Sequence, residues 1–244
     1  MKTCTLVIYV FHVINKNVLH FIQNALFDDE SVTFLFVCNS PLKISLPSYV
    51  KVLNRENIGY DFGGWSYGLL TDNLYQRYDN FIFINSSALG PFIPSYYTNK
   101  WTDIYINGLK DNIKLFGSTI NCSASVYGPI VINPVKDSHV QSYIFSMNKE
   151  TLTYLIECGI FSITDYINDF NKLVFEREIK MSRLIIEKGW NIGCLMDIYK
   201  GIDFTFKTPP KPINYLGDVM INNNYNKIWT LKELVFIKGN RIII

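Results

Sequence analysis

The run TLVIYVF at residues 5–11 decides the fold class of this chain. Its apolar residues do not alternate with charged or strongly polar ones, so both faces of a strand made from them would be buried. Strands of this kind occur in parallel sheets that carry helices on both sides. The run therefore predicts an α/β fold built around a buried parallel sheet.

The residues that follow continue the same plan. Apolar side chains recur at helical spacing over 17–26, a second buried run follows at 32–37, and a short one lies at 50–53. A strand, a helix and a strand in close succession form a βαβ unit, whose strands pair in parallel through a right-handed crossover. The N-terminal region is thus predicted to form a mostly parallel sheet.

Beyond residue 60 the alternation of strands and helices becomes less regular. The pattern predicts helices over 62–74, 96–114, 149–157, 163–168 and 171–187, and strands over 80–84, 115–119, 140–147 and 235–238. No repeat, low-complexity block or linker separates these elements. We therefore predict a single domain over 1–244, with a central sheet flanked by helices.

Composition excludes several classes of protein. The 244 residues are 48% apolar and 18% charged, which favours a large folded core over disorder. A net charge of +2, without a cluster of lysines and arginines, argues against a nucleic-acid partner. The apolar runs are too short for a transmembrane segment.

The cysteines give a clue to the compartment. There are five, scattered and never spaced as a CxxC pair: Cys4, Cys38, Cys122, Cys158 and Cys194. An odd number without paired spacing argues against a zinc site and a disulfide framework. Buried thiols in a reducing compartment are the expected arrangement, so we expect a soluble cytoplasmic protein.

The segment NIGYDFGGW at residues 57–65 is the first candidate binding site. Its three glycines let the backbone come close to a ligand or to another element. Asn57 offers a hydrogen-bond donor and an acceptor, and Asp61 offers acceptors. A tight turn that starts a helix would explain the same residues without any ligand.

A second candidate is the triplet Asn85-Ser86-Ser87, which follows the apolar run 81–84. Loops at the carboxyl ends of strands are where open α/β sheets bind nucleotides, so both candidate loops are expected at one site. The neutral oxygens of the triplet would hold a hard divalent cation only weakly. A polar strand end leading into a turn is the alternative interpretation.

Glu178 lies in the middle of the helix predicted over 171–187. If its face lines a cleft, its carboxylate can accept a proton from a hydroxyl group; otherwise it is a solvated helical charge. His139 and Gln141 share one face of a predicted strand by the period of two, next to Ser142. These polar groups could bind sugar hydroxyls, although a lone histidine is more often a structural residue.

Two cations near the C-terminus complete the candidates. Lys238 and Arg241 flank a Gly-Asn pair after an apolar run. Such a pair can clamp a diphosphate through charge-assisted hydrogen bonds. Two exposed cations without a ligand would be the simpler explanation.

Taken together, these segments resemble the GT-A-fold glycosyltransferases of the rhamnan-synthesis and capsular-polysaccharide type, including relatives in large DNA viruses. The matching segments are NIGYDFGGW at 57–65, FINSSALGPF at 83–92, HVQSYIF at 139–145, REIKMSRLIIEKGWNI at 177–192 and ELVFIKGNR at 233–241. The resemblance implies a GT-A-like fold, with a nucleotide-binding half over about 1–95 and an acceptor or catalytic half over about 96–244.

The resemblance also implies an activity: transfer of a hexose or deoxyhexose from a UDP-, GDP- or dTDP-linked donor to a hydroxyl of a glycan acceptor, in the cytoplasm of the cell or of an infected host cell. It implies inversion, with Glu178 as general base. Donor contacts would come from Asn57, Asp61, Trp65, Asn85, Ser86, Ser87, Lys238 and Arg241, and acceptor or sugar contacts from His139, Gln141 and Ser142.

Family members usually carry Asp-x-Asp where this chain has Asn85-Ser86-Ser87. A Mn²⁺ or Mg²⁺ cofactor is therefore an open expectation, with Ser87 as the candidate ligand. The neutral triplet also makes a non-catalytic sugar-binding protein of the same fold a credible alternative. A dinucleotide-dependent oxidoreductase should carry GxGxxG directly after its first strand, and residues 11–16 contain no glycine.

Overall fold

The computed structural model describes residues 3–41, 44–122, 138–207 and 230–239. The strands are β1 (Thr5–Phe11), β2 (Val32–Cys38), β3 (Lys51–Asn54), β4 (Asn80–Asn85), β5 (Ala88–Leu89), β6 (Ile113–Gly117), β7 (Ile120–Asn121), β8 (His139–Val140), β9 (Ile144–Asn148), β10 (Asn191–Cys194) and β11 (Ile237–Lys238). The α-helices are α1 (Lys16–Asn24), α2 (Tyr60–Leu70), α3 (Trp101–Asn107), α4 (Lys149–Glu157), α5 (Phe170–Leu173), α6 (Lys180–Glu187) and α7 (Leu231–Leu234).

Seven of these strands form one sheet in the order β10-β6-β9-β4-β1-β2-β3. β1 pairs in parallel with β2 and β4, β2 with β3, and β6 with β10. Only β9 runs antiparallel to its neighbours, β4 and β6. The predicted mostly parallel α/β sheet is confirmed.

The first strand is buried on both faces, as its sequence predicts. All seven residues of β1 are buried. Its even-numbered residues, from Leu6 to Val10, pack in a core with residues of α2, α4 and α6. The odd-numbered residues, from Val7 to Phe11, pack in a second core with α1 and α3. Helices therefore cover both sides of the sheet, and only its edges remain open for polar groups.

Several predicted element boundaries are wrong. The helix predicted over 96–114 is limited to α3, and the strand predicted over 140–147 is split by a turn at 141–143 into β8 and β9. Residues 163–168 are not helical, because the Ser162 hydroxyl accepts the backbone N–H groups of Thr164 and Asp165 and holds a turn there. Strand β10 is short and was not predicted.

The helix predicted over 171–187 is confirmed as a nearly continuous unit, with one irregularity. Between α5 and α6 the chain forms a π-helical turn, Val174–Ile179. Turns of this type insert an extra residue into a helix and occur frequently at functional sites. Within the described residues, no helix has the length and apolar character of a membrane-spanning segment.

Gly64 lets helix α2 pack directly on β1. A Cβ atom at this position would lie 2.5 Å from Val10 Cγ1 and 3.0 Å from its Cγ2. We predict that Gly64→Ala lowers the free energy of unfolding by about 1–3 kcal/mol, because overpacking outweighs the better helix propensity of alanine. Urea unfolding measures the change.

Gly159→Asn is the matched control for this prediction. Gly159 has a φ of +76°, which asparagine tolerates, and a Cβ atom there meets nothing within 4 Å. The remaining cost of a left-handed asparagine should be no more than about 1 kcal/mol and should not include overpacking. Equal losses in the two variants would contradict the steric explanation.

Candidate active site

The polar side chains of the site meet at the carboxyl edge of the sheet. The parallel strands β1 to β4 all end at this edge, and β9 begins there because it runs in the opposite direction. Asn85 ends β4, and its backbone N–H donates to the carbonyl of Tyr143, just before β9, at 3.2 Å. The loops that carry the candidate motifs are thereby brought together.

Asn85 connects the two motifs directly. Its Nδ2 donates to Oδ2 of Asp61 at 2.8 Å, and its Oδ1 accepts the backbone N–H of Ser87 at 3.0 Å and also the Ser87 hydroxyl. Both ends of the amide are therefore engaged, which fixes its orientation. The result is a chain of hydrogen bonds from Ser87 through Asn85 to Asp61.

Asp61 reaches this position from the first turn of α2. That helix begins at Gly59, whose φ of +73° is left-handed and favours glycine. The Gly59 backbone N–H donates to Oδ1 of Asn168 at 2.9 Å, so a residue distant in sequence holds the start of the helix. Backbone conformation and this contact together direct Asp61 towards the strand end.

Ser86 is held by its backbone. Its N–H donates to the carbonyl of Val10 at 3.1 Å, and its carbonyl accepts Nδ2 of Asn15 at 3.2 Å and of Asn17 at 3.0 Å. The triplet therefore has a rigid backbone between β4 and α1. These contacts give Ser86 a positioning role at the strand end.

Glu178 approaches the same edge from the π-helical turn. Its Oε1 accepts the backbone N–H of Ser142 at 3.1 Å. Ser182, one turn further along, accepts the backbone N–H of Val140 at 3.0 Å. The two side chains thus share a face of the helix and both accept backbone N–H groups of the segment before β9. Ser182 is bonded to that segment and not to Glu178.

Lys238 comes to the site on a short strand. β11 pairs antiparallel with β5, which places Lys238 opposite Ala88, and the backbone N–H of Gly239 donates to the Ser87 carbonyl at 2.7 Å. Among the described residues, no carboxylate lies within ion-pair distance of the Lys238 ammonium. Arg241, the other predicted cation, falls outside the described residues.

The electrostatics of Asp61 show that these groups form one cluster. Burial raises the pKa of Asp61 to about 6, and the hydrogen bond from Asn85 opposes this rise. The charge of Glu178 raises the pKa further, while that of Lys238 lowers it. Perturbed carboxylates with identifiable charged neighbours are common at functional sites. Four of the predicted residues therefore act on each other.

Two predicted binding residues need correction. Trp65 is fully buried, its Nε1 donates to the Ile84 carbonyl at 3.2 Å, and its ring packs edge-on against Phe83 and Phe145. It belongs to the core and not to the donor site. Gln141 is also buried, and its Oε1 accepts the Thr119 hydroxyl at 2.8 Å, so it supports the fold and does not face an acceptor.

The other predicted residues lie at or near the same edge. His139 is buried on β8, whereas Ser142 is partly exposed beside Glu178. Asn57 is exposed, and its Oδ1 accepts Nδ2 of Asn39, the residue after β2, at 3.2 Å. Asn39 was missed by the sequence analysis because a single asparagine after a strand carries no motif.

The donor set fits a resident Mn²⁺ or Mg²⁺ poorly. Hard divalent cations prefer carboxylate oxygens, and the Ser87 hydroxyl is already bonded to Asn85. In the part of the chain that the structure describes, no three His, Cys, Asp or Glu side chains group as metal ligands. The prediction of Ser87 as a metal ligand therefore gains no support from its surroundings.

The segment 162–169 is a further part of the site that the sequence analysis missed. The Arg177 guanidinium, with a side chain 8% exposed, donates to the carbonyl of Asp165 at 3.0 Å and to its carboxylate at 2.8 Å. The Ser162 backbone N–H donates to the Ser66 hydroxyl at 3.0 Å. The segment thus ties α2 to the π-helical turn, and so ties Asp61 to Glu178.

These features define an α/β protein with a carboxylate and ammonium cluster at the carboxyl edge of its sheet. A family model for rhamnan synthesis protein F matches residues 34–242. The chain belongs to this family. The assignment confirms the resemblance to the rhamnan-synthesis glycosyltransferases that the motifs indicate.

The individual sequence relatives match a smaller part of this chain than the family model does. The chain is 32% identical to the virulence protein VirA of Vibrio anguillarum over 151 residues, and it matches a second sequence of that name equally well. The match covers 60% of this chain and 42% of VirA, so the chain spans less than half the length of these relatives.

Two solved structures are also similar. One is a glycosyltransferase involved in the glycosylation of the major capsid of PBCV-1, with 14% identity and a TM-score of 0.41 over 98% of this chain and 97% of the other. The second is the bifunctional glycosyltransferase WbbM in its apo form, with 13% identity and a TM-score of 0.33 over 78% and 37%.

The raised pKa of Asp61 predicts a pH-dependent stability. Between about pH 4 and pH 6 the folded protein keeps a proton on Asp61 that the unfolded chain has released, so stability falls as the pH rises through this window. We predict that Asp61→Asn removes this fall, which amounts to about 2–3 kcal/mol. Urea unfolding at pH 4, 5, 6 and 7 measures it.

Asp29→Asn is the control with the opposite sign. Hydrogen bonds from Ser31, then the Lys100 ammonium, hold the pKa of Asp29 well below its usual range. Such a group stabilises the fold above the pKa of the unfolded chain, and this contribution is lost only below about pH 4, so Asp29→Asn should keep the wild-type fall in stability between pH 4 and pH 7. An unchanged pH profile in Asp61→Asn would show that Asp61 has an ordinary pKa.

Proposed function

We propose that this protein is an inverting glycosyltransferase that moves a sugar from a nucleotide-diphosphate donor to a hydroxyl of a glycan acceptor. The observation that carries the proposal is the meeting of Asp61, Asn85, Glu178 and Lys238 at one sheet edge. Such an edge is where open α/β sheets bind nucleotides. Membership of the rhamnan synthesis family supports the reaction class.

In the proposed reaction Glu178 is the general base. Its Oε1 is occupied by the Ser142 backbone N–H, and its Oε2 has no hydrogen-bond partner among the described residues. Oε2 takes the proton of the acceptor hydroxyl as the hydroxyl oxygen attacks the anomeric carbon. The bond between that carbon and the diphosphate oxygen breaks with inversion, and the electron pair leaves with the nucleoside diphosphate.

Lys238 has the charge that the leaving diphosphate requires. Positive groups that face the developing negative charge stabilise the transition state. The backbone of Lys238 pairs with Ala88 beside the triplet, and its ammonium has no ion-pair partner among the described residues. We propose that this lysine supplies the cationic contact at the strand end, where the neutral oxygens of the triplet would hold a metal ion only weakly.

Asp61 is assigned to the donor sugar. One carboxylate oxygen accepts from Asn85, which leaves the other for a sugar hydroxyl. A hydroxyl donor is a better partner for this carboxylate than a phosphate, because two anions repel each other. Asn57 lies nearby on the loop after β3 and is proposed to contact the nucleotide.

The compartment is part of the proposal. No disulfide joins the five cysteines, all of which lie in the described residues. This suits a reducing compartment such as the cytoplasm, of a cell or of an infected host cell. The donor base and the transferred sugar, hexose or deoxyhexose, are left to experiment.

A non-catalytic sugar-binding protein is the second candidate. The absence of carboxylates from the triplet Asn85-Ser86-Ser87 favours it. Incubation with a panel of UDP-, GDP- and dTDP-sugars, with and without Mn²⁺, distinguishes the two. A donor should raise the melting temperature and, with an acceptor present, release nucleoside diphosphate. Binding without release across the panel would favour the second candidate.

The role of Glu178 gives the sharpest prediction. Glu178→Gln keeps the size and most hydrogen bonds of the side chain but cannot take up a proton. We predict a fall in turnover by two or more orders of magnitude, with donor affinity within about twofold of wild type. Steady-state kinetics measure the first quantity and calorimetric titration with the donor measures the second.

Glu176→Gln is the matched control. Glu176 lies on the same π-helical turn and pairs with Lys180 at 3.3 Å, the two side chains being 47% and 42% exposed. Turnover should therefore change little. If Glu178→Gln turns over as fast as Glu176→Gln, the base lies elsewhere.

Lys238→Met tests the leaving-group contact. The substitution keeps the length of the side chain and removes its charge. We predict that turnover falls by about ten- to a thousandfold, as for other residues that stabilise transition-state charge. A donor with a better leaving group should restore part of the rate. If turnover falls by the same factor for donors with good and with poor leaving groups, Lys238 does not contact the departing diphosphate.

A further inference from the structure

Two aromatic rings lie exposed at the start of the helices that carry the site carboxylates. The side chains of Tyr60 and Phe170 are 39% and 58% exposed. Their ring centroids are 6.0 Å apart and their planes are inclined at 70°. Exposed aromatic pairs are costly in water, and contiguous exposed apolar surface often marks a binding site.

The pair is held in place before any ligand binds. The Tyr60 hydroxyl donates to the carbonyl of Asn168 at 3.3 Å, and the same residue anchors the Gly59 backbone through its side chain. Tyr60 itself has a φ of +50°, a conformation that these contacts maintain. A ring fixed in this way loses little conformational entropy on binding, which favours affinity.

The position of the pair relates it to the candidate site. Tyr60 directly precedes Asp61 on α2, and Phe170 opens the helical unit that carries Glu178. At about 1.5 Å rise per residue, Phe170 and Glu178 are separated by roughly 12 Å along that unit. This distance is too long for the sugar that reacts and suits a more distant unit of a chain.

The chemistry around the pair fits a neutral sugar. Aromatic rings offer an apolar face for the C–H groups of a sugar ring. The rim consists of exposed hydrogen-bonding residues, among them Asp165, Asn168, Asp169 and Asn171. Asp165 is paired with Arg177, whereas Asp169 has no ion-pair partner among the described residues, so its carboxylate disfavours the phosphates of a nucleotide donor. The acceptor glycan is thus the better occupant.

We propose that Tyr60 and Phe170 form a subsite for a sugar unit of the acceptor glycan, remote from the hydroxyl that reacts. The proposal rests on the proposed glycosyltransferase function. It makes the enzyme selective for oligosaccharide acceptors over single sugars, because a single sugar cannot reach both the base and the aromatic pair.

Phe170→Ala tests the subsite, with neutral oligosaccharides, including rhamnan fragments, and their terminal monosaccharides as acceptor probes. We expect the KM for the oligosaccharides to rise roughly five- to tenfold, the loss of one aromatic stacking contact. The kcat, the KM for monosaccharides and the donor affinity should stay within about twofold of wild type. Tyr60→Phe keeps the ring but removes the hydrogen bond to Asn168, so the oligosaccharide KM should rise less than in Phe170→Ala.

Phe175→Ala is the matched control, since Phe175 is 49% exposed on the same helical unit and is not part of the pair. An unchanged oligosaccharide KM in Phe170→Ala, or an equal rise in Phe175→Ala, overturns the subsite while leaving the glycosyltransferase proposal intact. If wild type transfers no sugar, calorimetric titration with the same oligosaccharides still decides: weaker binding to Phe170→Ala supports the subsite, and identical or undetectable binding refutes it.

Discussion

The hydrogen bond from Asn85 to Asp61 is the contact on which the site depends. It joins the end of a core strand to the first turn of α2, and it does so with a neutral donor. A carboxylate at position 85 would place another negative charge beside Asp61, whose pKa is already raised by burial and by the charge of Glu178. The asparagine lets two carboxylates share the cleft with a single lysine. In this chain the triplet Asn85-Ser86-Ser87 thus orients Asp61 through a hydrogen bond from Asn85.

Parallel strand pairing makes this convergence possible. When neighbouring strands run in the same direction, the loops that follow them emerge at one edge, even though they are distant in sequence. β9 is the exception, and its reversal brings the segment before it to the same edge, where Glu178 grips it. The segment 162–169 then links the two carboxylate-bearing helices from outside through Arg177 and Asn168. The sheet brings the loops to one edge, and this outer link sets the distance between the two carboxylate-bearing helices.

Much of the fold could be predicted from the sequence, because buried strands such as β1 leave a short continuous apolar run that is rich in β-branched and aromatic residues. The motifs also predicted that Asp61, Asn85, Glu178 and Lys238 would lie at one site, and the structure brings them to the same edge of the sheet. Trp65 was misassigned because the sequence of a glycine-rich motif does not show whether its aromatic residue faces a ligand or the core. Gln141 was misassigned because a turn interrupts the expected strand. Asn39, Asn168 and Arg177 form their contacts through tertiary structure alone, so no local pattern indicates them.

The pairing of β11 with β5 has a consequence for biosynthesis. The last strand of the central sheet, β10, ends at Cys194, whereas β11 begins more than 40 residues later and some 150 residues after its partner β5. A nascent chain can therefore complete its central sheet and both strand-end motifs while it still lacks Lys238. Lys238 would join the edge cluster late, when a two-residue strand docks on a framework that is already folded.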